Sequence, residues 1–448
     1  MPVFGQRENK MVARPFQGAT FKVLGIALLA LLMLIPLAQV NGLIGEREGR
    51  AREATQRIAE RWGAQQLLGA PVLVVPVRRQ LLQDKVWTTV EEREYVLADR
   101  VSIVGKLAPE LRRYGIYEAA VYTAELTIEG RFDVADVAAL SASGAEPQWR
   151  RAELRVPIAD VRGIRRVSPL KFGERELAFG PGTDGVATIS AVSAPAPLDP
   201  SALAQTLPFS FTLTLAGTER FAALPLARET DVHLSSPWPD PGFDGAFLPA
   251  TRRVGATGFE ADWQVLDLNR PLAQHWREND AIGGALAATA FGITLAQPAG
   301  SYQQNVRAGK YGVLFIALTF VAFFLFEVLR GLRVHPVQYL LVGLALCTFY
   351  VVLLALSEQI GFGLAYAIAA ACVVMMVGGY AAVVLVARRA GLMLGALLAL
   401  IYALLYGLVA SEDYALLMGS MALLAAVAGL MYLTRRVDWY ALAPAPAH

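Results

Sequence analysis

Residues Gly312–Leu329 read GVLFIALTFVAFFLFEVL, eighteen positions with one charged side chain, Glu327. A helix of about 20 mostly apolar residues crosses the ~30 Å hydrocarbon layer, so this stretch predicts a membrane span. Comparable runs cover Thr20–Val40, Val337–Leu356, Ile360–Ala387, Gly391–Ala410 and Tyr414–Thr434. The run from Ile360 is long enough that it should tilt or begin at the interface. Pro36 lies near the end of the first span, where one lost hydrogen bond is tolerable. The 123 residues Gly312–Thr434 hold eight charged side chains, whereas the 17% charge of all 448 residues would give about 21 there. A soluble chain usually carries about 25% charge. Composition therefore excludes a purely soluble enzyme, and a net charge of +2 leaves no clustered basic face for nucleic acid.

The apolar run at Thr20–Val40 exceeds the 7–15 residues of a cleaved signal, and no Ala-x-Ala site follows it. It reads as a retained anchor. Orientation follows from basic residues in short loops. Arg330, Arg333 and His335 follow the second span, Arg388 and Arg389 the fourth, and Arg435 and Arg436 the sixth. The alternate loops, Ser357–Gln359 and Ser411–Asp413, hold no Lys or Arg. This pattern predicts a cytoplasmic tail over 1–19, a span over 20–40, an extracytoplasmic domain over 41–309, a five-helix bundle over 310–434 and a cytoplasmic tail over 435–448.

The domain over 41–309 contains no cysteine, since Cys347 and Cys372 both lie in predicted spans. It is long enough to bury a core without disulfides. Residues 45–62 (GEREGRAREATQRIAERW) predict a solvated stalk helix with favourable Glu46–Arg50, Glu48–Arg52 and Glu53–Arg57 pairs. Beyond it the period becomes two. Phe209, Phe211, Leu213 and Leu215 alternate with Ser210, Thr212 and Thr214, and Tyr122, Ala124, Leu126 and Ile128 alternate with polar neighbours. Pro157 marks Leu154–Ile158 as an edge strand, and Pro71–Val75 reads as a more buried one. Dense turn punctuation, such as Pro237-Trp238-Pro239-Asp240-Pro241-Gly242, predicts a β-sandwich or a pair of them. A weak echo between Leu126–Phe132 (LTIEGRF) and Leu213–Phe221 (LTLAGTERF) favours the pair. Six of the seven Trp lie here, mostly for core packing. The fold class is thus an α+β membrane protein: one N-terminal and five C-terminal transmembrane helices, with a large β-rich, sandwich-like domain between the first and second.

No HExxH, P-loop, GxSxG or CxxC occurs, and His233, His275, His335 and His448 are too scattered for a metal site. Neither a cofactor nor a catalytic residue is assigned. Ser168-Pro169-Leu170-Lys171 matches the S-x-x-K spacing of penicillin-binding enzymes, but the stretch is Pro-broken and its partner motifs are missing. Ionisable groups in spans are costly and so draw attention. Glu327 lies about one turn from the end of its helix, with Arg330 at i+3 and His335 nearby; pairing with Arg330, or reaching the interface, is the simplest expectation. Glu358, Glu412 and Asp413 fall at the opposite helix ends, as ordinary solvated hairpins or an acidic mouth. Gly391-x-x-x-Gly395 and Ala425-x-x-x-Gly429 permit close helix approach. Trp439-Tyr440 reads as an interfacial anchor.

Several stretches resemble a known family. Leu318–Glu327 (LTFVAFFLFE), His335–Leu344 (HPVQYLLVGL) running on to Leu356-Ser357-Glu358, and Leu433–Tyr440 (LTRRVDWY) look like signatures of the CreD inner-membrane proteins, also called cell envelope integrity proteins. Tyr114–Tyr117, Asp160–Ile164 and Phe247–Ala250 fit the same pattern. The resemblance runs from the first helix to Tyr440; the basic N-terminal tail and Ala441–His448 look like local extensions. It implies a Gram-negative inner-membrane protein under a sensor-kinase/response-regulator pair, linked to envelope integrity, colicin tolerance and β-lactam response. It supplies no reaction, ligand or catalytic residue. Glu327, Arg330, His335, Gln338, Ser357, Glu358 and Asp438 stand as candidate functional or structural polar positions.

Three functions are therefore compared. The first is a non-enzymatic envelope-maintenance protein, whose partners are the lipid bilayer and a periplasmic envelope component or protein. The second is a lipid or small-molecule translocation protein gated at Glu327 and His335. The third is an envelope hydrolase.

Overall fold

A computed structural model describes residues 19–83, 86–142, 145–182, 184–199, 206–295, 301–330, 334–384, 388–411 and 414–435. Arg7, Lys10, Arg14, Arg333, Glu412, Asp413, Arg436, Asp438, Trp439 and Tyr440 lie outside the described residues. The chain divides into two compact units, one made of 1–49 with 299–448 and the other of 50–298.

The first unit is helical. It begins with α1 (Ala19–Leu32) and the start of α2 (Leu34–Trp62). Pro36 falls in the first turn of α2, where its missing N–H is least costly. The helix is interrupted only at Met33, and the bonds Met33 N–H to Leu29 O (3.0 Å) and Leu37 N–H to Met33 O (3.2 Å) bridge the joint. Two short helices of the other unit come next in the chain, α3 (Val134–Ala142) and α4 (Gly283–Ala288). The C-terminal helices are α5 (Ser301–Arg330), α6 (Pro336–Ile360), α7 (Phe362–Val384), α8 (Arg388–Ala410) and α9 (Ala415–Thr434). Among the described residues, six helices are long and apolar enough to cross a membrane, one near the N-terminus and five towards the C-terminus. The long run from Ile360 resolves into a helix of ordinary length because Gly361, at φ +79°, ends α6 in the left-handed region before α7 begins. Conversely α5 begins well upstream of its apolar run, at Ser301.

Small residues set the helix spacing. A Cβ on Gly378 would lie 3.3 Å from the Gly395 Cα, and one on Gly391 would lie 2.4 Å from the Ala382 Cβ. The Gly391/Gly395 motif is thus a crossing of α7 and α8. At Gly429 a Cβ would meet nothing within 4 Å, and α9 buries no residue among those described. The second small-residue motif therefore makes no close crossing among the described residues.

The second unit is built on three sheets around one continuous apolar core. The largest has nine strands, with Leu207–Thr218, Tyr117–Phe132, Ala98–Tyr114, Ala227–Ser236 and Gly258–Leu266 side by side. Its register explains the alternation: Phe211, Ile128, Ile103, Val232 and Trp263 pair across five strands and are all buried. The hairpin Ala98–Phe132 turns at Gly115, whose φ of +64° suits the first position of a two-residue turn. The Leu126 and Leu213 echo segments are antiparallel neighbours in this one sheet, and the shared core replaces the expected pair of sandwiches. Parallel pairing, invisible in alternation, joins Ala98–Lys106 to Ala227–Ser235.

One strand departs from expectation. Glu153–Pro157 is not at an edge: it pairs with Val72–Gln83 on one side and Ala191–Pro195 on the other. The proline is tolerated because it is the last residue of the strand, beyond the Arg155 that closes pairing with Val72. Val72, Leu73, Val74 and Val75 are fully buried, as their continuous apolar run predicts. Trp149, Trp263 and Trp276 are buried, whereas Trp87 is exposed.

The charged end of α2 is more than a solvated stalk. Ile58 packs with Ala119 and Val121. The Trp62 indole donates to Tyr122 O (3.1 Å), with the Arg112 and Arg165 guanidinium groups 4.5 and 5.0 Å from its ring centre.

Candidate functional site

Two polar clusters sit in the helical unit, one towards each end of α5. The first surrounds Glu327. This carboxylate is 3% exposed, so it must be matched by donors. Lys22 of α1 pairs with Oε1, the Val334 N–H donates to the same oxygen at 2.8 Å, and the Tyr339 hydroxyl of α6 donates to Oε2 at 2.8 Å. Tyr339 is itself held between Phe320 and Phe323, each with ring centres 5.8 Å away. Beside it a Cβ on Gly343 would meet Met33 Sδ at 2.7 Å and Phe320 Cζ at 2.8 Å. The cluster therefore ties α1, α5 and α6 together.

Among the described residues the cation on Glu327 is Lys22; the side chain of Arg330, the neighbour that helical spacing proposes, lies outside them. Nor does the structure bring the His335 ring to Glu327. His335 is the N-cap of α6: its Nδ1 accepts from the Val337 N–H (3.3 Å), and its own N–H donates to Gln338 Oε1 (2.9 Å). With Pro336 at the first helical position, His335 and Gln338 form a reciprocal cap. Both therefore have a local structural task.

The second cluster joins the start of α5 to the end of α6. Buried Asn305 donates through Nδ2 to Ser357 Oγ (2.9 Å), and the Ser357 hydroxyl donates to Leu354 O (2.9 Å). The Tyr302 hydroxyl donates to Glu358 Oε1 (2.9 Å), and Arg47 Nη1 lies 3.7 Å from Oε2. Glu358 is thus charge-paired from α2 and hydrogen-bonded from α5. Next to these contacts, a Cβ on Gly309 would lie 2.3 Å from Asn41 Oδ1, and one on Gly312 would lie 2.9 Å from Leu37 Cδ1, so glycine lets α2 lie against α5.

Tyr302, Asn305, Arg47 and Lys22 are the participants that sequence reasoning missed. Tyr302 and Asn305 are spaced i,i+3 on one helical face, but they stand upstream of the apolar run. Between the clusters the interior is apolar and aromatic: Phe349 lies 4.6 Å from Tyr402 and 5.3 Å from Tyr366 between ring centres, and the Tyr366 hydroxyl donates to Tyr402 O (2.7 Å). An open concavity of about 440 Å³ between α7 and α8 is lined by Gly, Ala, Val and Tyr.

In the second unit, Asp160-Val161-Arg162-Gly163 forms a structural corner. Burial pushes the Asp160 carboxyl up, but the Arg162 guanidinium and the Ala64 and Arg162 N–H donors outweigh it, holding it below the ordinary carboxylate range. Gln66 Nε2 donates to Asp160 O (3.1 Å) and Ala216 O (2.8 Å). A Cβ on Gly163 would sit 2.3 Å from Ala216 O. At the S-x-x-K spacing, the Ser168 hydroxyl accepts from Thr212 N–H (2.9 Å) and donates to Pro169 O (3.1 Å), while Lys171 lies on the strand Leu170–Phe172. That extended backbone does not reproduce the helix start on which the enzyme motif works. Among the described residues, no group of three or more His, Cys, Asp or Glu is arranged to hold a metal ion.

The features to be matched are therefore six apolar helices, a β-rich unit between the first and second, and polar contacts at both ends of α5. The family model described as "Inner membrane protein CreD" matches residues 18–440, which span all of them. Inner membrane protein CreD of Escherichia coli (strain K12) is 35% identical over 415 residues, covering 92% of this chain and 91% of that protein. With the match extending through both units, this multi-pass chain belongs to the CreD family of inner membrane proteins.

Proposed function

We propose that this protein maintains the cell envelope without catalysing a reaction, with its β-rich unit in the periplasm binding an envelope component or a partner protein. In this reading both termini are cytoplasmic, residues 41–309 are periplasmic, and the helices anchor and present the β-rich unit. The orientation rests on the basic loops after the second and fourth spans and the arginines after the sixth.

The observation that carries the reading is the closure of the helical unit. Its buried polar side chains at Glu327 and Asn305–Ser357 are bonded between helices, and the interior between them is packed with aromatic and small residues. A translocation path would need convergent polar groups facing a cavity near mid-membrane. The concavity between α7 and α8 instead has an apolar lining. This supports an anchor over a gate at Glu327 and His335, and it leaves recognition to the β-rich unit.

Two measurements test the proposal. A periplasm-active reporter fused near residue 150 should be active, and a silent fusion that is nonetheless made and inserted refutes the orientation. Photocrosslinkers on the β-rich unit should capture a defined envelope component or protein in cells. Capture of none refutes the binding role.

A further inference from the structure

The nine-stranded sheet carries a polar row one register step from its buried Phe211–Trp263 row. Lys171 pairs with Ser210, Ser210 with Glu129, and Glu129 with Ser102. Directly paired residues point to the same face of a sheet, and strands lie about 4.8 Å apart, so these four side chains span ~14 Å. They line a concavity of about 560 Å³ together with Arg100 and Arg131. Gly130 lies at its base, where a Cβ would meet Arg100 O at 2.4 Å and Phe209 Cζ at 2.5 Å.

The charges divide into two groups. Arg100 is paired with Asp231 (2.9 Å) and Glu229 (3.2 Å), and Arg131 with Asp99 (3.0 Å), so both guanidinium groups already have carboxylate partners. Among the described residues, Lys171, Glu129, Ser102 and Ser210 have neither an ion pair nor a side-chain hydrogen bond. The concavity thus offers an open ammonium, an open carboxylate and two open hydroxyls beside two paired cations. Its one aromatic side chain, Phe209, is turned into the core. Recognition here would use hydrogen bonds and charge rather than ring stacking or apolar burial.

We propose that this concavity binds a saccharide bearing an acidic group. The hydroxyls and Glu129 take the sugar hydroxyl and amide groups, and Lys171, the cation without a carboxylate partner, takes the carboxylate or phosphate. Charge-assisted bonds of this kind are the stronger ones in such a site. The proposal rests on the reading that the β-rich unit binds an envelope component, and it names the chemistry and the place.

The test uses the full chain in lipid nanodiscs with three soluble probes. Muropeptides carry carboxylates, delipidated lipopolysaccharide core carries phosphates, and a chitin tetrasaccharide carries no acid. At least one acidic probe should bind, and the chitin tetrasaccharide should bind at least tenfold more weakly. Which acidic probe binds identifies the source of the ligand. Lys171→Glu should weaken binding at least tenfold, as should Ser210→Tyr, while Lys106→Glu on the same face should not. Bound probe should also protect Lys171 of the unsubstituted protein from acetylation, a readout independent of variant folding. Failure of both acidic probes to bind, equal binding of the chitin tetrasaccharide, or unchanged affinity in a folded Lys171→Glu protein overturns the proposal. If the acidic probes fail while photocrosslinks elsewhere on the β-rich unit capture an envelope component, this site falls and the broader function stands.

Discussion

Breaking the Lys22–Glu327 pair should loosen the first helix from the bundle. Glu327 is 3% exposed and Lys22 33%, so the two partners are not equivalent. Removing one partner of a fully buried pair costs about 3–5 kcal/mol. Here Lys22 is a third exposed and less strictly buried than its partner, which lowers the expected cost of Lys22→Met to about 2–3 kcal/mol. Glu327→Gln keeps an acceptor for Tyr339 or Val334 but loses the ionic bond, for about 1–2 kcal/mol. Glu327→Leu leaves both the Tyr339 hydroxyl and the Val334 N–H without their acceptor and should cost more, at about 1–3 kcal/mol for each orphaned donor. The assay is reversible unfolding of the purified full chain in mixed micelles, for Lys22→Met, Glu327→Gln and the double variant. Directly bonded residues should give a coupling energy of about 1–3 kcal/mol. A coupling below about 0.5 kcal/mol, the ordinary scatter for independent sites, would refute the view that this pair holds α1 to α5.

Other substitutions separate capping, packing and acid sensitivity. His335→Ala removes one N-cap acceptor and should cost about 1 kcal/mol or less in the same unfolding assay, leaving envelope phenotypes intact; a loss of those phenotypes in a His335→Ala protein that remains stably folded would revive the gate. Gly163→Ala drives a Cβ against Ala216 O and Gln66 Nε2 and should destabilise the β-rich unit by more than about 2 kcal/mol, read as a fall in its thermal midpoint. Asp160 and Asp244 have carboxyl groups held below their ordinary range; in both, arginine and other hydrogen-bond donors outweigh the upward push of burial. Such groups stabilise the fold fully above the unfolded carboxyl value of about 3.9, and that contribution is lost as pH falls through the lower folded value. Asp160→Asn should therefore flatten the acid limb of a stability-against-pH curve, and an unchanged limb would count against the corner.

The spans were legible because hydrocarbon demands length and apolarity together, and both are local properties. What that rule misses is the polar start of α5, because Asn305 is buried, and Tyr302 half-buried, by partners rather than by their own hydropathy. The Glu327 partner was hidden for a different reason. Lys22 lies 305 positions away in the chain, and helical spacing could nominate only Arg330. The role of His335 was nearer to hand: a polar N-cap, Pro336 at the first position and Gln338 at the third form a capping signature. In the β-rich unit, alternation revealed which face each strand buries. It did not reveal neighbours, so the central place of Glu153–Pro157 and the parallel pair at Ala98–Lys106 emerged only from the fold.

The placement of polar groups along α5 bears on what the helices do. Asn305 and Glu327 are 22 residues apart, about 33 Å along the helix axis and close to the ~30 Å of hydrocarbon. Their clusters therefore fall near its two borders, where water and headgroups reduce the cost of charge. In the stretch between, Thr319 spends its hydroxyl on Phe315 O within the same helix (2.8 Å). A carrier concentrates polar groups at mid-membrane and leaves them available to cargo. Here they stand at the margins, and each is taken by another helix. That distribution resists sliding of α5 past α1, α2 and α6, because any shift along the axis would break contacts at both ends. Such a bundle keeps its own helices in fixed register.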